Sequence, residues 1–152
     1  ARGRLRPGRC MRALGFVCMA QRCCERMCSR VEERVAYGEP LIKKTSVQHE
    51  IARGRCDNEQ ARLLPLHAAH VMDTQGMTAA RPLISMVKIV APQMAQQVAD
   101  RAMQVFGGMG VCQDTMIPEV FMLARFCRIA DGPDEVHMSQ LGKMTVREIN
   151  DG

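Results

Sequence analysis

Between residues 83 and 105 the apolar side chains recur with the period of an α-helix. The apolar positions are Leu83, Val87, Val90, Met94, Val98, Ala102 and Val105. Spacings of three and four residues place all of these side chains on one face of a helix. The pattern predicts a long amphipathic helix, which Pro92 bends without ending it.

The rest of the chain carries helical stretches separated by turn-forming residues. Together the predicted helices cover about 10–36, 45–72, 83–105, 118–129 and 133–150. Gly38 and Pro40 end the first helix. The sequence TSVQ, with Thr45 three residues before Gln48, predicts a capping box at the start of the second, and Pro65 predicts an interruption or a kink within it.

These helices predict an all-α fold. Thirteen Met, no Trp, one Tyr and four Phe are typical of helices packed through flexible aliphatic side chains rather than of a β-sheet. Long helices joined by short connections favour an antiparallel, up-down-up-down four-helix bundle, here with an additional short helix. A chain of 152 residues suits one domain that buries roughly 68–70% of its surface. It has no apolar run near the roughly 20 residues of a membrane span.

The formal charge of +5 is concentrated at the start of the chain. We therefore expect a basic N-terminal segment, 1–8, followed by one helical domain, 9–152. An Arg-rich start could bind nucleic acid, lie on a membrane surface or belong to a transit peptide, although a solvated end is the interpretation we favour. Because the chain begins with Ala, we also expect that its true N-terminus is absent.

The eight cysteines raise the question of a metal site or disulfides. Cys24 and Cys28 lie four residues apart and could share a helical face, but the sequence has no C-x-x-C pair and no matching second pair, which are the usual signs of a structural zinc site. Cysteines in helical settings, such as Cys56 and Cys127, usually act as small hydrophobic side chains. His67 and His70 could face the same way on a helix, but the sequence offers no third ligand near them. We therefore predict no metal site.

Three glycines in QVFGGMG, at Gly107, Gly108 and Gly110, predict a loop, because their backbone entropy opposes a helix. The stretch matches neither G-x-G-x-x-G nor the phosphate-binding P-loop pattern, and its glycines follow a helix rather than a strand. One interpretation is an ordinary helix end. The other is a close approach of the backbone to a flat or phosphorylated ligand.

The stretch RIADGPDEVHMS also has two interpretations. Pro133 at the first helical position, with Asp134 and Glu135 in the first turn, is a favourable helix start, and Asp131 or Gly132 would be the cap. Alternatively, a carboxylate held at a glycine turn beside a dry pocket could act as a proton acceptor.

Three stretches, RVAYGEPL, QVFGGMGVCQD and RIADGPDEVHMS, occur in the order and at about the distances found in one enzyme family. From about residue 9 to residue 147 the chain resembles the C-terminal domain of the acyl-CoA dehydrogenases, most closely the branch of family members ten and eleven. The resemblance implies a four-helix bundle that belongs to a flavoprotein whose other parts are an N-terminal helical domain and a β-barrel.

The resemblance also implies an activity and partners. Such enzymes use FAD for the α,β-dehydrogenation of acyl-CoA thioesters in fatty-acid β-oxidation. They assemble as homo-oligomers, dimers or tetramers, and pass electrons to an acceptor such as an electron-transfer flavoprotein. We accordingly expect a mitochondrial, peroxisomal or cytoplasmic protein that neither spans a membrane nor binds nucleic acid.

Site residues follow from the same resemblance. Asp131 corresponds to the catalytic base, where most members carry glutamate, with Glu135 as a nearby alternative. Arg9 corresponds to an arginine near the substrate. The residues assigned to FAD are Arg34, Tyr37, Gln104, Val105, Phe106, Gly107, Gly108, Pro133 and Glu135. Of these, Arg34 and the segment 104–108 would contact the cofactor of a neighbouring subunit, and Pro133 and Glu135 the flavin of the same subunit. A different class of function remains open: a catalytically inactive helical assembly module.

Overall fold

The computed structural model describes residues 5–151, so residues 1–4 of the predicted basic segment 1–8 lie outside the described residues. The helices are α1 (Leu5–Glu33), α2 (Thr45–Gln75), α3 (Arg81–Phe106), α4 (Ile117–Cys127) and α5 (Asp134–Asp151). Two short strands, β1 (Val35–Ala36) and β2 (Glu39–Pro40), and 3₁₀ turns at Leu41–Lys43 and Gly107–Val111 connect them. The prediction of an all-α bundle with an additional short helix is confirmed.

The central element of the bundle is α3, which packs against every other α-helix. Most of the predicted apolar stripe is buried, including Val87, Met94 and Val98, whereas Val90 is 38% exposed. Pro92 lies inside α3, is buried and does not end the helix, as predicted. The amphipathic pattern therefore identified the helix around which the core forms.

The end of the first helix was predicted incorrectly. We expected a helix over 10–36, but α1 spans Leu5–Glu33, and residues 34–40 form a β-hairpin. Tyr37 and Gly38 connect its strands with φ angles of +55° and +82°. Two successive left-handed residues form a turn that suits the twist of a two-stranded hairpin. They cannot continue a right-handed helix. The predicted domain boundary at residue 8/9 falls within α1 and stays a prediction.

The second helix also differs from its prediction. It spans Thr45–Gln75, a few residues beyond the predicted end. The capping box does not form: Lys44 is the N-cap without a side-chain cap, and the Gln48 side chain donates instead to the carbonyl of Ile42 at 2.7 Å. Pro65 lies buried within a helix that is not interrupted, because burial of this face outweighs the loss of one backbone donor.

The topology defines two ends of the bundle. Helices α1 and α3 run in the same direction, since their early residues share one crevice and their late residues share one cavity. The carboxylate end, as we call it, comprises the early turns of α1 and α3 and the turn 128–133 between α4 and α5. The glycine end comprises the last turns of α1 and α3 and the 3₁₀ turn Gly107–Val111. Within the described part of the chain, no helix is long and apolar enough to cross a membrane.

Candidate functional site

The turn between α4 and α5 has an unusual backbone. Asp131 and Gly132 have φ angles of +56° and +95°, a conformation that glycine adopts freely and aspartate tolerates better than most residues. The first helical turn of α5 closes onto Pro133, whose carbonyl accepts the amide of Val136 at 3.0 Å. Pro133 therefore occupies the capping position. The prediction that Asp131 or Gly132 caps α5 is wrong, because α5 begins at Asp134 and its first turn closes onto the carbonyl of Pro133.

The carboxylate of Asp131 points across the turn to α1. Its Oδ2 forms an ion pair with Nη1 of Arg12, and the two side chains are 40% and 51% exposed. The pair connects the start of α1 to the α4–α5 turn, which local sequence could not indicate. Asp131 thus lies at the surface with a cationic neighbour.

Next to this ion pair is a narrow crevice of about 10 Å³. Arg12 and Arg9 line it from α1, and its apolar walls are Ala13, Phe16, Val87 and Pro92. A volume of this size holds about one water molecule. Arg9 and Arg12 share this crevice, and Arg12 is the ion-pair partner of Asp131, so the three residues lie at the same end of the bundle. The crevice itself is too small to hold an acyl chain.

Beneath the turn lies a buried polar cluster that the sequence did not reveal. Asp134 is only 3% exposed. Its Oδ2 accepts hydrogen bonds from Nε of Arg128 at 2.8 Å and from Nε2 of Gln93 at 3.2 Å. Lys88, also buried, donates through Nζ to the carbonyl of Cys127. One sequence signal could have revealed this cluster. Lys88 directly follows Val87 of the apolar stripe, at a position that the helical period places beside the core.

Burial lowers the pKa of two groups beneath the turn, Lys88 and the nearby buried His137. It lowers the pKa of His137, and the positive charges of Arg9 and Lys88 lower it further, while Asp134 opposes them. Burial also lowers the pKa of Lys88, with the charge of Asp134 acting in the opposite direction. Near neutral pH the imidazole of His137 is therefore uncharged, so one of its nitrogens carries a hydrogen and the other does not.

At the glycine end lies a larger cavity of about 530 Å³. Six of its lining residues are ones that the resemblance assigned to FAD: Arg34, Gln104, Val105, Phe106, Gly107 and Gly108. Arg30 also lines the cavity, with its Cζ 5.5 Å from the centre of the Phe106 ring. The Nε atom of Arg30 is buried and has no hydrogen-bond partner. The cavity therefore contains two guanidinium groups, one with an unsatisfied donor.

The glycines at this end of the bundle lack a side chain for different reasons. Gly107 has a φ angle of +64°, which a side chain would strain. At Gly110 an added Cβ would lie 2.5 Å from the carbonyl oxygen of Met103. An added Cβ at Gly108 would have no atom within 4 Å. Packing and conformation thus account for Gly107 and Gly110, whereas the fold within 5–151 gives no reason for a missing side chain at Gly108.

The remaining predicted cofactor residues lie apart from this cavity. Tyr37 is 97% exposed at the tip of the hairpin, and Pro133 and Glu135 are exposed at the carboxylate end. The predicted residues therefore form two groups at opposite ends of the bundle. The assignment of one group to a neighbouring subunit's cofactor and of the other to the subunit's own stays a prediction.

This class of fold and site has counterparts among known proteins. The family described as "Acyl-CoA dehydrogenase, C-terminal domain" matches residues 1–145. The rat protein named acyl-CoA dehydrogenase family member 11 is 45% identical over 151 residues, which are 97% of this chain and 19% of the rat protein. A protein of known structure from Mycobacterium abscessus is 40% identical with a TM-score of 0.95, covering 98% of this chain and 37% of the other.

A more distant structure has the same fold. Butyryl-CoA dehydrogenase from Megasphaera elsdenii is 26% identical with a TM-score of 0.84, covering 92% of this chain and 36% of the other. The chain belongs to the acyl-CoA dehydrogenase family and has the helical fold of its C-terminal domain. It spans about a fifth of the length of the rat relative. The resemblance found in the three sequence motifs is thereby confirmed at the level of the family.

Proposed function

We propose that this chain is the C-terminal domain of an FAD-dependent dehydrogenase that introduces an α,β double bond into acyl-CoA thioesters, as in fatty-acid β-oxidation. The observation that carries the proposal is the placement of Asp131 on a left-handed turn, paired with Arg12, which lines a crevice together with Arg9. The turn fixes the backbone that carries the Asp131 carboxylate. The adjoining crevice marks the side from which a thioester would approach.

Asp131 accepts the α proton of the thioester in this mechanism. Held by the proposed cofactor residues, FAD would supply the acceptor for the hydride of the β carbon, so that the loss of the two C–H bonds would be balanced by the new carbon–carbon double bond and the reduced cofactor. Catalysis then requires that the base and the acceptor lie on opposite faces of an extended substrate. Because aspartate is one methylene shorter than glutamate, the backbone of residues 131–132 must bring the carboxylate closer. Glu135, exposed on the first turn of α5, is the alternative base.

Three observations at the glycine end fit an anionic, flat ligand such as the adenosine diphosphate portion of FAD from a neighbouring subunit. Arg34 offers a forked, permanently charged donor suited to a pyrophosphate. The buried Nε of Arg30 lacks a partner. Gly108 leaves open space where a side chain would stand. Gln104, Val105, Phe106 and Gly107 complete the proposed surface. Tyr37, at the exposed tip of the hairpin, stays a proposed FAD contact outside the cavity, and Pro133 is proposed to lie near the subunit's own flavin.

A homo-oligomer, a dimer or tetramer, follows from this shared cofactor. Large apolar side chains exposed on α4, on α5 and in the turn between them support it, because such surfaces mark contacts between proteins. They include Met122, Phe126, Ile129, Val136, Val146 and Ile149. We further propose an electron-transfer flavoprotein as acceptor and a mitochondrial, peroxisomal or cytoplasmic location.

The deciding experiment replaces the proposed base in the holoenzyme, meaning the complete FAD-loaded polypeptide in which this chain supplies the C-terminal domain. Asp131→Asn keeps the shape of the side chain but removes its basicity. We expect acyl-CoA turnover to fall by roughly 10²–10⁴-fold, while the flavin absorbance spectrum shows FAD still bound. Asp73→Asn, an exposed aspartate on α2, is the matched control. Unchanged turnover in Asp131→Asn, or equal losses in both variants, would contradict the assignment.

The isolated 152-residue chain should not turn over acyl-CoA when FAD is added. Its crevice beside Arg12 holds about one water molecule, so the remaining walls of an acyl pocket must come from elsewhere. Appreciable turnover by the purified chain would refute this expectation.

The small crevice also favours the second candidate function, a catalytically inactive assembly module. The two functions differ in the holoenzyme assay, because an assembly module would form oligomers with no acyl-CoA turnover. Gel filtration together with the flavin spectrum and the turnover rate distinguishes them.

A further inference from the structure

His137 is a buried histidine that the proposed mechanism does not use. It lies on the first turn of α5 and is 3% exposed. Its ring packs directly beneath the α4–α5 turn, since a Cβ added at Gly132 would lie 3.1 Å from Nε2 of the ring. The imidazole therefore fills the space that the missing side chain of Gly132 leaves.

The ring also contacts the residue before this glycine. Its Nε2 lies 3.4 Å from the backbone carbonyl oxygen of Asp131. A carbonyl oxygen can only accept a hydrogen bond. The hydrogen of the neutral ring must therefore be on Nε2 for this contact to be a hydrogen bond, and it then points at the backbone of Asp131.

The surroundings keep the ring in this orientation. Charged groups face it from three helices: Arg9 from α1, Lys88 from α3, and Asp134 from its own helix. The second ring nitrogen, Nδ1, is buried and has no hydrogen-bond partner. The ring is thus held by packing and by one contact, and that contact is with the residue whose backbone has a left-handed φ angle of +56°.

We infer that His137 is a positioning residue that fixes the direction of the Asp131 carboxylate through the backbone of the turn. It does not touch the substrate. The inference rests on the proposed function, because only a catalytic Asp131 makes the direction of its carboxylate matter for the rate. A backbone that left this conformation would move the carboxylate by an ångström or more, and a misplacement of about 1 Å can cost on the order of 10²-fold in rate.

The test compares two replacements of His137 in the holoenzyme. His137→Gln keeps a donor nitrogen at the same number of bonds from Cβ as Nε2 of histidine. His137→Leu has similar volume and no donor. We expect His137→Leu to lower kcat by about 10²-fold with KM nearly unchanged, and His137→Gln to keep kcat within about threefold. The isotope effect with α-deuterated acyl-CoA should rise in His137→Leu, because proton abstraction then limits the rate.

A structural role alone predicts a different result, and Asn58→Leu measures it. Asn58 is also buried and polar, is 4% exposed, and has an unpartnered Oδ1, but it lies on α2. Asn58→Leu should change stability without changing kcat per folded, FAD-loaded active site. Equal kcat in His137→Leu and His137→Gln, or normal kcat in both, would overturn the inference.

Two further variants keep the inference testable whatever the stability of His137→Leu. His137→Asn retains polarity but cannot extend its amide to the position of Nε2, so it should lose kcat as His137→Leu does. Wild-type kcat in His137→Asn would contradict the inference. Asp131→Asn distinguishes the two proposals: if it leaves turnover intact, the proposed function fails. If it abolishes turnover while His137→Leu and His137→Asn do not, only the positioning role fails.

Discussion

Arg12 and Asp131 form an ion pair between the early part of α1 and the turn that precedes α5. Both side chains are about half exposed, so water and ions screen the attraction. The pair therefore contributes little to stability, although it joins two elements of the candidate site.

Replacing Arg12 by Gln should change the free energy of unfolding by less than about 1 kcal/mol. Urea denaturation of the 152-residue chain measures this change. A loss of several kcal/mol would show that the ion pair holds α1 against the α4–α5 turn.

Arg128 should matter far more than Arg12. Its Nε donates to the buried carboxylate of Asp134 at 2.8 Å, and the removal of Arg128 leaves this buried carboxylate without its ion-pair partner. Arg128→Met should lower the free energy of unfolding by about 3 kcal/mol, and the double variant Arg128→Met/Asp134→Leu should recover much of that loss. If the double variant is as unstable as the sum of the single variants, the two residues are not coupled.

Gly132→Ala tests the left-handed turn. Its φ angle of +95° and the 3.1 Å approach of a Cβ to the His137 ring both oppose a side chain. We expect a loss of about 1–3 kcal/mol in the free energy of unfolding, measured in urea. Gly142→Ala is the control, because a Cβ there meets nothing within 4 Å in a helix. It should stabilise the chain by about 0.5–1 kcal/mol, and a similar effect of both variants would contradict the strained turn.

Gly108→Ala tests whether Gly108 is needed for cofactor binding rather than for folding. Because the added methyl group has open space in the chain itself, stability should not fall, whereas FAD affinity of the assembled holoenzyme should fall by about tenfold. Gly110→Ala is the comparison, since its Cβ would meet the Met103 carbonyl and should destabilise the fold by about 1–3 kcal/mol. Unchanged FAD affinity in Gly108→Ala would remove this glycine from the proposed cofactor surface.

The lowered pKa of His137 predicts how stability depends on pH. In the unfolded chain this histidine titrates near 6.5, and in the folded chain it titrates lower. As pH falls below about 6.5, the unfolded state binds a proton that the folded state does not, so the free energy of unfolding decreases. His137→Gln removes this contribution. Its stability should therefore fall less than that of the wild type between pH 7.5 and pH 5.5, and parallel curves in urea titrations would contradict the prediction.

Several features followed from the sequence because they depend on neighbouring positions. The stripe from Leu83 to Val105 identified the central helix, since a helical period is a local property. The three glycines of 107–110 identified the end of that helix for the same reason. The motif RIADGPDEVHMS identified the family, and with it the residues to consider.

Other local sequence signals gave wrong predictions at places where two local conformations were possible. Residues 34–36 could have extended α1, but the left-handed residues Tyr37 and Gly38 allow a hairpin that the helical pattern does not reveal. The capping-box sequence TSVQ is present, yet the Gln48 side chain donates to the Ile42 carbonyl instead. In the second case a contact with the preceding 3₁₀ turn decided between the two conformations.

By itself the sequence determined the helices, the glycine turn and the family, because each is encoded by residues a few positions apart. Only the tertiary structure decided that Arg12 faces Asp131, that Lys88, Asp134 and His137 share one buried cluster, and that the predicted cofactor residues divide between two ends. These contacts join residues far apart in the chain. Packing of the helices around α3 brings them together, and packing depends on the whole set of buried side chains rather than on any single stretch.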